Sequence, residues 1–239
     1  MPMIHPPLPF DPTKYFDQGV ATRYDQGIRL SCPSYDALHR MLAPLLRSLP
    51  EEARFLCAGA GTGAEIAALA DRFARWRFVG VDVSANMLAV CRNRIQQGAI
   101  ADRVSLHQGR MEDYQGPALC DAASSIFVAH FIQGADERRA YFRALAANLK
   151  PGALLVIADL FGDKGSPEFI RLMEAWLVYY VSNGAIAEKL TQDLQHIFTN
   201  IVFAPEHELI AMLEESGFCN VVRFFQSFLF GGWVARKRE

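Results

Sequence analysis

The sequence predicts a doubly wound α/β fold with a mostly parallel sheet, on three observations. From Arg54 onward, short apolar runs alternate with helical patterns of roughly 10–15 residues, the rhythm of βαβ units. Ala153-Leu154-Leu155-Val156-Ile157-Ala158 is apolar without a break, as expected of a strand buried on both faces. The last two runs, Asn220–Phe225 and Ser227–Ala235, are joined so closely that they should form an antiparallel hairpin at the sheet edge.

Composition narrows the class. At 239 residues the chain is one large domain or one domain with an elaboration, long enough to bury a core without disulfides or metals. A hydrophobic fraction of 51% excludes a disordered coil. Lys+Arg at 24 against Asp+Glu at 26, with a pI near 6.3, argues against a surface built to hold nucleic acid. Arg72, Arg75 and Arg77 around Trp76, and Arg236-Lys237-Arg238, read as solvated charge rather than RNA contacts. Cys32, Cys57, Cys91, Cys120 and Cys219 are widely spaced without a C-x-x-C, the free thiols of a reducing compartment. The start lacks the pattern of a secretory signal, and no apolar run approaches the ~18 residues that suggest a membrane span. A soluble, cytoplasmic protein is expected.

Residues 1–14 form a Pro-rich arm, since Pro2, Pro6, Pro7, Pro9 and Pro12 forbid helix or central strand. Residues 15–49 read as an N-terminal helical cap, with Ser34 placed to cap a helix bearing Leu38, Met41, Leu42, Leu45 and Leu46, and Pro44 to kink or end it. Residues 50–239 carry the α/β pattern. Arg54–Ala58 is the first strand and Ala64–Phe73 a helix. Phe78–Val83 is the second strand, with Ser84 capping a helix through Ile95. Val104–His107 and Ala122–Ala129 are further strands, and Glu137–Leu149 is a helix stopped by Lys150-Pro151-Gly152. Residues 163–206 interrupt the rhythm with two or three helices whose apolar content includes Trp176, Leu177, Tyr179, Tyr180, Leu190, Leu194, Ile197 and Phe198.

The strongest chemical signal is strand–Gly59-Ala60-Gly61-Thr62-Gly63–helix. Glycines turn the chain sharply and bring backbone to a ligand, and the helix start offers free N–H groups to an anion. The stretch also satisfies G-x-G-x-x-A through Ala64, so a nicotinamide cofactor is one reading. Asp82 ends the second strand where a carboxylate can accept from ribose hydroxyls; the alternative, a helix-capping aspartate, is weakened by Ser84. These residues establish adenosine binding and leave the cofactor open.

Four ordered motifs resemble those of class I S-adenosylmethionine-dependent methyltransferases: Gly59-x-Gly61-x-Gly63, Gly80-Val81-Asp82-Val83-Ser84-x-x-Met87, Gln108-Gly109-Arg110-Met111-Glu112-Asp113, and Leu149-Lys150-Pro151-Gly152-Ala153. The resemblance implies a seven-stranded sheet with a reversed last strand, and S-adenosylmethionine as cofactor with S-adenosylhomocysteine as product. Phe16-Asp17-x-x-Val20-Ala21-x-x-Tyr24-Asp25, continuing through Pro33-x-Tyr35, and the tail Phe225-Gln226-Ser227-Phe228-x-Phe230-Gly231 are similar to the carboxy-S-adenosylmethionine synthase branch, which converts the cofactor with prephenate for tRNA modification. The resemblance implies cofactor contacts at Tyr35, Gly59, Ala60, Gly61, Asp82, Val83, Arg110, Met111 and Ile126, to which the motif reading adds Gly63 and Met87. Two positions depart from the branch. Arg110 stands where it has an acid near the adenine, and Gln195 where it has the arginine that binds a carboxylate, in a segment, 191–200, without Arg or Lys. Ordinary methyl transfer to a small-molecule acceptor is therefore expected rather than the synthase reaction. A nicotinamide oxidoreductase and a non-catalytic cofactor-binding protein are the readings from other classes.

Methyl transfer needs in-line positioning and a dry site more than covalent help. Should the acceptor have to lose a proton, His130 after the fourth strand and Asp159 at the end of the fifth are the candidate bases, each with a plain structural alternative. Tyr24, Asp25, Tyr179 and Tyr180 are placed to face an acceptor or to pack as core. The histidines share no ligand spacing, so no metal is expected. The insertion 163–206 is expected to act as a lid with a hinge near Gly184, its apolar surface covered by the N-terminal helices near Tyr24 and Tyr35 or by a second copy of the chain.

Overall fold

The computed structural model describes residues 10–185 and 187–239, and the side chains of all of these except 187–193. Pro2, Pro6, Pro7 and Pro9 of the expected arm, and the Leu190 side chain, lie outside the described residues. The elements run α1 (Pro12–Tyr15), α2 (Gln18–Ser31), α3 (Tyr35–Leu45), β1 (Arg54–Ala58), α4 (Ala64–Arg72), β2 (Arg77–Asp82), α5 (Ala85–Gln97), β3 (Val104–Gln108), β4 (Cys120–Ile126), α6 (Ala135–Ala147), β5 (Leu149–Leu160), α7 (Pro167–Ser182), α8 (Ala187–Asn200), α9 (Glu206–Glu215), β6 (Phe218–Ser227) and β7 (Phe230–Lys237).

The seven strands lie in the order β3-β2-β1-β4-β5-β7-β6. β7 alone is reversed, pairing antiparallel with both β5 and β6. Strand periodicity builds a core on each face. Phe55 and Cys57 point to the side of α3, α4 and α5, where they meet Leu42, Ile66, Leu69, Leu88 and Cys91. Leu56 and Ala58 point to the other side, toward Tyr141, Phe142, Leu145, Leu213 and Trp233. Because β1 and β4 sit at the switch in strand order, their C-terminal ends open a crevice at the centre of the sheet.

Three local expectations need correction. Ser34 sits at the N-cap of α3 but makes no capping bond: its backbone is left-handed, at φ 65°, not the extended form that aims a hydroxyl at the first-turn amides. The helix α6 ends at Ala147, and Lys150-Pro151-Gly152 belongs to β5, absorbed by a register shift between Cys120 and Ala122 on β4. Ser227 ends β6 rather than starting the last strand, because the turn falls at Phe228, with φ 49°. Pro44 is tolerated inside the last turn of α3, and Ser84 caps α5 by accepting from the Met87 amide at 3.3 Å.

The insertion forms the two helices α7 and α8, and its apolar surface meets the N-terminal helices. Phe169, Met173 and Trp176 pack with Cys32, Tyr35 and Leu38 and with Leu229 and Phe230 from the hairpin turn. Trp176 closes the seam by donating its indole N–H to the Ser31 carbonyl at 2.6 Å. Trp176→Ala should therefore cost about 3–5 kcal/mol, read as a lower urea midpoint. A loss below about 1 kcal/mol would show the seam contributes little to the fold.

Candidate active site

The crevice is a cavity of about 380 Å³ bounded by the β1–α4 loop, the ends of β2 and β4, the segment after β3, and the N-terminal helices. The loop's shape is imposed by two glycines. Gly59 has φ 72°, and a Cβ there would sit 2.2 Å from a Val128 methyl. Gly63, at φ 76°, starts α4, and a Cβ there would sit 2.6 Å from the Cys91 sulfur. Only glycine fits either position.

Asp82 fastens this loop to the next helix. Its Oδ2 accepts from the Gly61 amide and its Oδ1 from the Ser84 amide, each at 2.8 Å. Burial pushes its carboxyl above the usual range, and the two amides offset part of that. A second tie reaches the N-terminal helices. The Thr62 hydroxyl donates to Asp25 at 2.7 Å, and Arg94 of α5 both donates to Thr62 at 3.0 Å and pairs with Asp25. The Ser84 hydroxyl and the Asn86 amide each donate to the Phe16 carbonyl at 3.1 Å, seating the start of α2 on the start of α5.

Of the sequence-predicted contacts, Tyr35, Gly59, Ala60, Gly61, Asp82, Val83, Met87, Arg110, Met111 and Ile126 all line this one cavity. Gly63 does not; it packs on Cys91 and shapes the loop. Arg110 turns to Glu112, donating at 2.7 Å. Tyr24 lines the cavity, while Asp25 stands behind Thr62 and Tyr179 packs against Phe228. Gln195 is exposed on α8 and is not among the described lining residues.

His130 and Asp159 do not line the cavity. They are 5% and 4% exposed and bond to one another, Nδ1 to Oδ1 at 2.6 Å, with the His130 amide also donating to Asp159 at 3.2 Å. Val202 donates to the His130 carbonyl at 2.8 Å. The pair braces the chain after β4 to the end of β5 and to the segment after α8. Neither side chain is on the cavity wall, although Phe127, Val128, Phe131 and Ile132 on either side of His130 are.

Sequence reasoning missed several side chains on the cavity wall, among them His39, Glu65 and Glu137. His39, one turn into α3, has Nδ1 3.0 Å from the Tyr35 carbonyl; since a carbonyl only accepts, Nδ1 carries the proton and Nε2 keeps its lone pair. Burial pushes its pKa down. Glu65 and Glu137 also line the wall. Glu65 is a polar residue at a buried helix position and Glu137 an exposed acid in the first turn of α6, and nothing in the spacing joins either to the glycine loop. Among the described residues, no cluster of three His, Cys, Asp or Glu side chains is able to hold a metal, and no helix is long and apolar enough to cross a membrane.

Comparison with known proteins matches residues 55–152 to a methyltransferase domain family. The carboxy-S-adenosyl-L-methionine synthase of Chromohalobacter salexigens is 30% identical over 231 residues, covering 93% of this chain and 83% of that one. The ubiquinone/menaquinone biosynthesis C-methyltransferase of Syntrophotalea carbinolica is 28% identical, with 88% and 87% covered. Among solved structures, the magnesium protoporphyrin IX methyltransferase of Synechocystis, with S-adenosylhomocysteine bound, shares the fold at a TM-score of 0.68 and 14% identity, with 94% and 97% covered. With a glycine loop, a strand-end carboxylate and a reversed seventh strand in the places this similarity requires, the chain belongs to the class I S-adenosylmethionine-dependent methyltransferases.

Proposed function

We propose that the crevice binds S-adenosylmethionine and that the protein moves its methyl group to a small, non-anionic acceptor entering beneath the N-terminal helices. The observation that carries this reading is the charge of the wall. Its described residues include the acids Asp82, Glu112 and Glu137, beside Glu65 whose ionisation burial opposes, against a single guanidinium, Arg110, which is already paired with Glu112. Such a wall repels a dicarboxylate such as prephenate.

The cavity fits the cofactor on observed features. Gly61 faces it with the Met87 methyl at 3.5 Å and the Gly59 carbonyl oxygen at 3.8 Å from a Cβ there, both at ordinary contact distance, so backbone can meet ligand. Asp82 retains lone pairs for two ribose hydroxyls beyond its two amides. Val83, Met87 and Met111 form the apolar slot for adenine, Ile126 lies at the end of β4, and Tyr35 closes the cavity from above. When bound, the cofactor supplies a methyl group already activated on sulfur. The chain's part is to orient the two partners and keep water out, which Phe10, Phe16, Tyr24 and Phe131 do at the mouth. Where an acceptor must lose a proton, the group on the wall with a lone pair to take it is His39, not His130.

The synthase reading keeps a specific support, the 30% identity to a carboxy-S-adenosyl-L-methionine synthase over nearly the whole chain. The free thiols of Cys32, Cys57, Cys91, Cys120 and Cys219 support a reducing, cytoplasmic setting. Ile170, Val178 and Val181 leave an exposed apolar stripe on α7, and pairing of two copies through it is the expected assembly. Light scattering should give a dimer mass; a monomer would leave the stripe to solvent.

Gly61→Val fills the ligand side of the loop at a backbone φ of 52°, and Asp82→Ala strips two amides of their partner. The latter should cost about 1–3 kcal/mol of stability. Both proteins should remain folded and lose S-adenosylhomocysteine binding by calorimetry; unchanged affinity in both would exclude the site. Incubating the wild type with S-adenosylmethionine and prephenate should leave the cofactor's mass unchanged. Accumulation of the carboxylated species would establish the synthase reaction instead.

A further inference from the structure

Glu65 stands apart from the other acids of the site. It is the second residue of α4, is 4% exposed and still lines the cavity. The Ser124 hydroxyl donates to its Oε1 at 2.9 Å, and the Cys57 thiol lies within hydrogen-bonding reach. Cys57 and Ser124 are register partners on β1 and β4, so Glu65 lies over the two strands that open the crevice. The other ionisable groups facing it are Cys57 from β1, Tyr35 from α3, Cys91 from α5 and Tyr141 from α6. All are neutral acids, held protonated by burial. Among the described residues, no Lys or Arg supports its charge.

A carboxyl so placed is expensive to ionise, and burial pushes it up to about 7. A bond to Ser124 alone does not need an acid, since a glutamine accepts equally well. An acid without a cation inside the fold, on the wall of a ligand cavity, is arranged to meet positive charge carried by the ligand.

The strand order says which part of the ligand. Asp82 at the end of β2 marks the ribose, and Met111 after β3 marks the adenine side. The remaining, methionine end then falls toward β1 and β4, under Glu65. This orientation rests on the cofactor reading above. We infer that Glu65 receives the α-ammonium group of the cofactor's methionine end as a positioning residue, and releases its proton to solvent when that group binds.

The sign follows from linkage. A cation beside Glu65 lowers its pKa, so binding expels a proton wherever free Glu65 is protonated, and affinity rises with pH up to about 7 and then levels. Near pH 6 the ligand's own amine is already charged, and an ammonium stabilised on binding takes up protons rather than releasing them. Asp82 also faces the ligand and is raised by burial, while His39 is lowered. 5′-Methylthioadenosine carries the same ribose and adenine without the methionine amine, and isolates Glu65 from both.

Calorimetry of both nucleosides in two buffers of different ionisation enthalpy is the test. For the wild type, S-adenosylhomocysteine should release close to one more proton than 5′-methylthioadenosine at about pH 6, and its affinity should climb by up to about tenfold per pH unit below 7. Glu65→Gln, which keeps the Ser124 bond, should lose roughly tenfold to a hundredfold in S-adenosylhomocysteine affinity together with the extra proton. Its affinity for 5′-methylthioadenosine should not change. Equal proton release by the two ligands in the wild type overturns the inference without recourse to any variant, as does wild-type S-adenosylhomocysteine binding by Glu65→Gln. If the wild type binds neither nucleoside, the cofactor reading itself falls and this inference with it.

Discussion

One half-buried carboxylate, that of Asp82, organises the crevice. Asp82 spans the gap between the glycine loop and the start of α5, and each of its oxygens takes one main-chain amide. Neither amide has a helical partner to fall back on at that point in the chain, so the loop and the helix are positioned by the same side chain. Desolvation pushes the pKa of this carboxyl up, and the same two amides offset part of that push. The glycine loop, the acid at the end of β2 and the start of α5 are thus one mechanical unit, not three features that happen to be neighbours.

The second layer of the structure is built outward from that unit. Thr62, the one hydroxyl of the glycine loop, is the point at which Asp25 and Arg94 converge, so α2 is tied to the loop while α3 packs on the sheet. The insertion then holds the other side of the same helices through Trp176 and its apolar neighbours. His130 and Asp159 anchor the far end of the insertion through the Val202 amide. This returning segment packs against the strand-end histidine that its place in the sequence marks as a candidate base.

What the sequence disclosed and what it hid follow from interaction range. Strands and helices of the sheet were legible because alternation and helical periodicity are local, and Gly59 and Gly63 because backbone geometry is set within a turn. The strand boundary at Leu149 was hidden because a pairing shift opposite Cys120 decides it, and that partner is far away in sequence. Ser34 looked like a cap by residue type, but its backbone conformation is dictated by the sharp turn joining α2 to α3. Glu65 and His39 escaped notice for the same reason: each is an ordinary polar residue in its own helix, and becomes part of a site only when the fold sets it against the ends of β1 and β4.

Cys32 turns the seam between the N-terminal helices and the insertion into something that reports on itself. The residue is 1% exposed, among Tyr35, Leu38 and Trp176, and burial raises its pKa far above that of a free thiol. A protonated, enclosed sulfur does not react with alkylating agents, so modification waits on moments when the seam parts. Cys57, Cys91 and Cys120 are buried within the α/β core and answer to deeper unfolding, while half-exposed Cys219 reacts without either. The order in which the five sulfurs become labelled is therefore a clock for the opening of this chain, with Cys32 timing any parting of the insertion from the N-terminal helices.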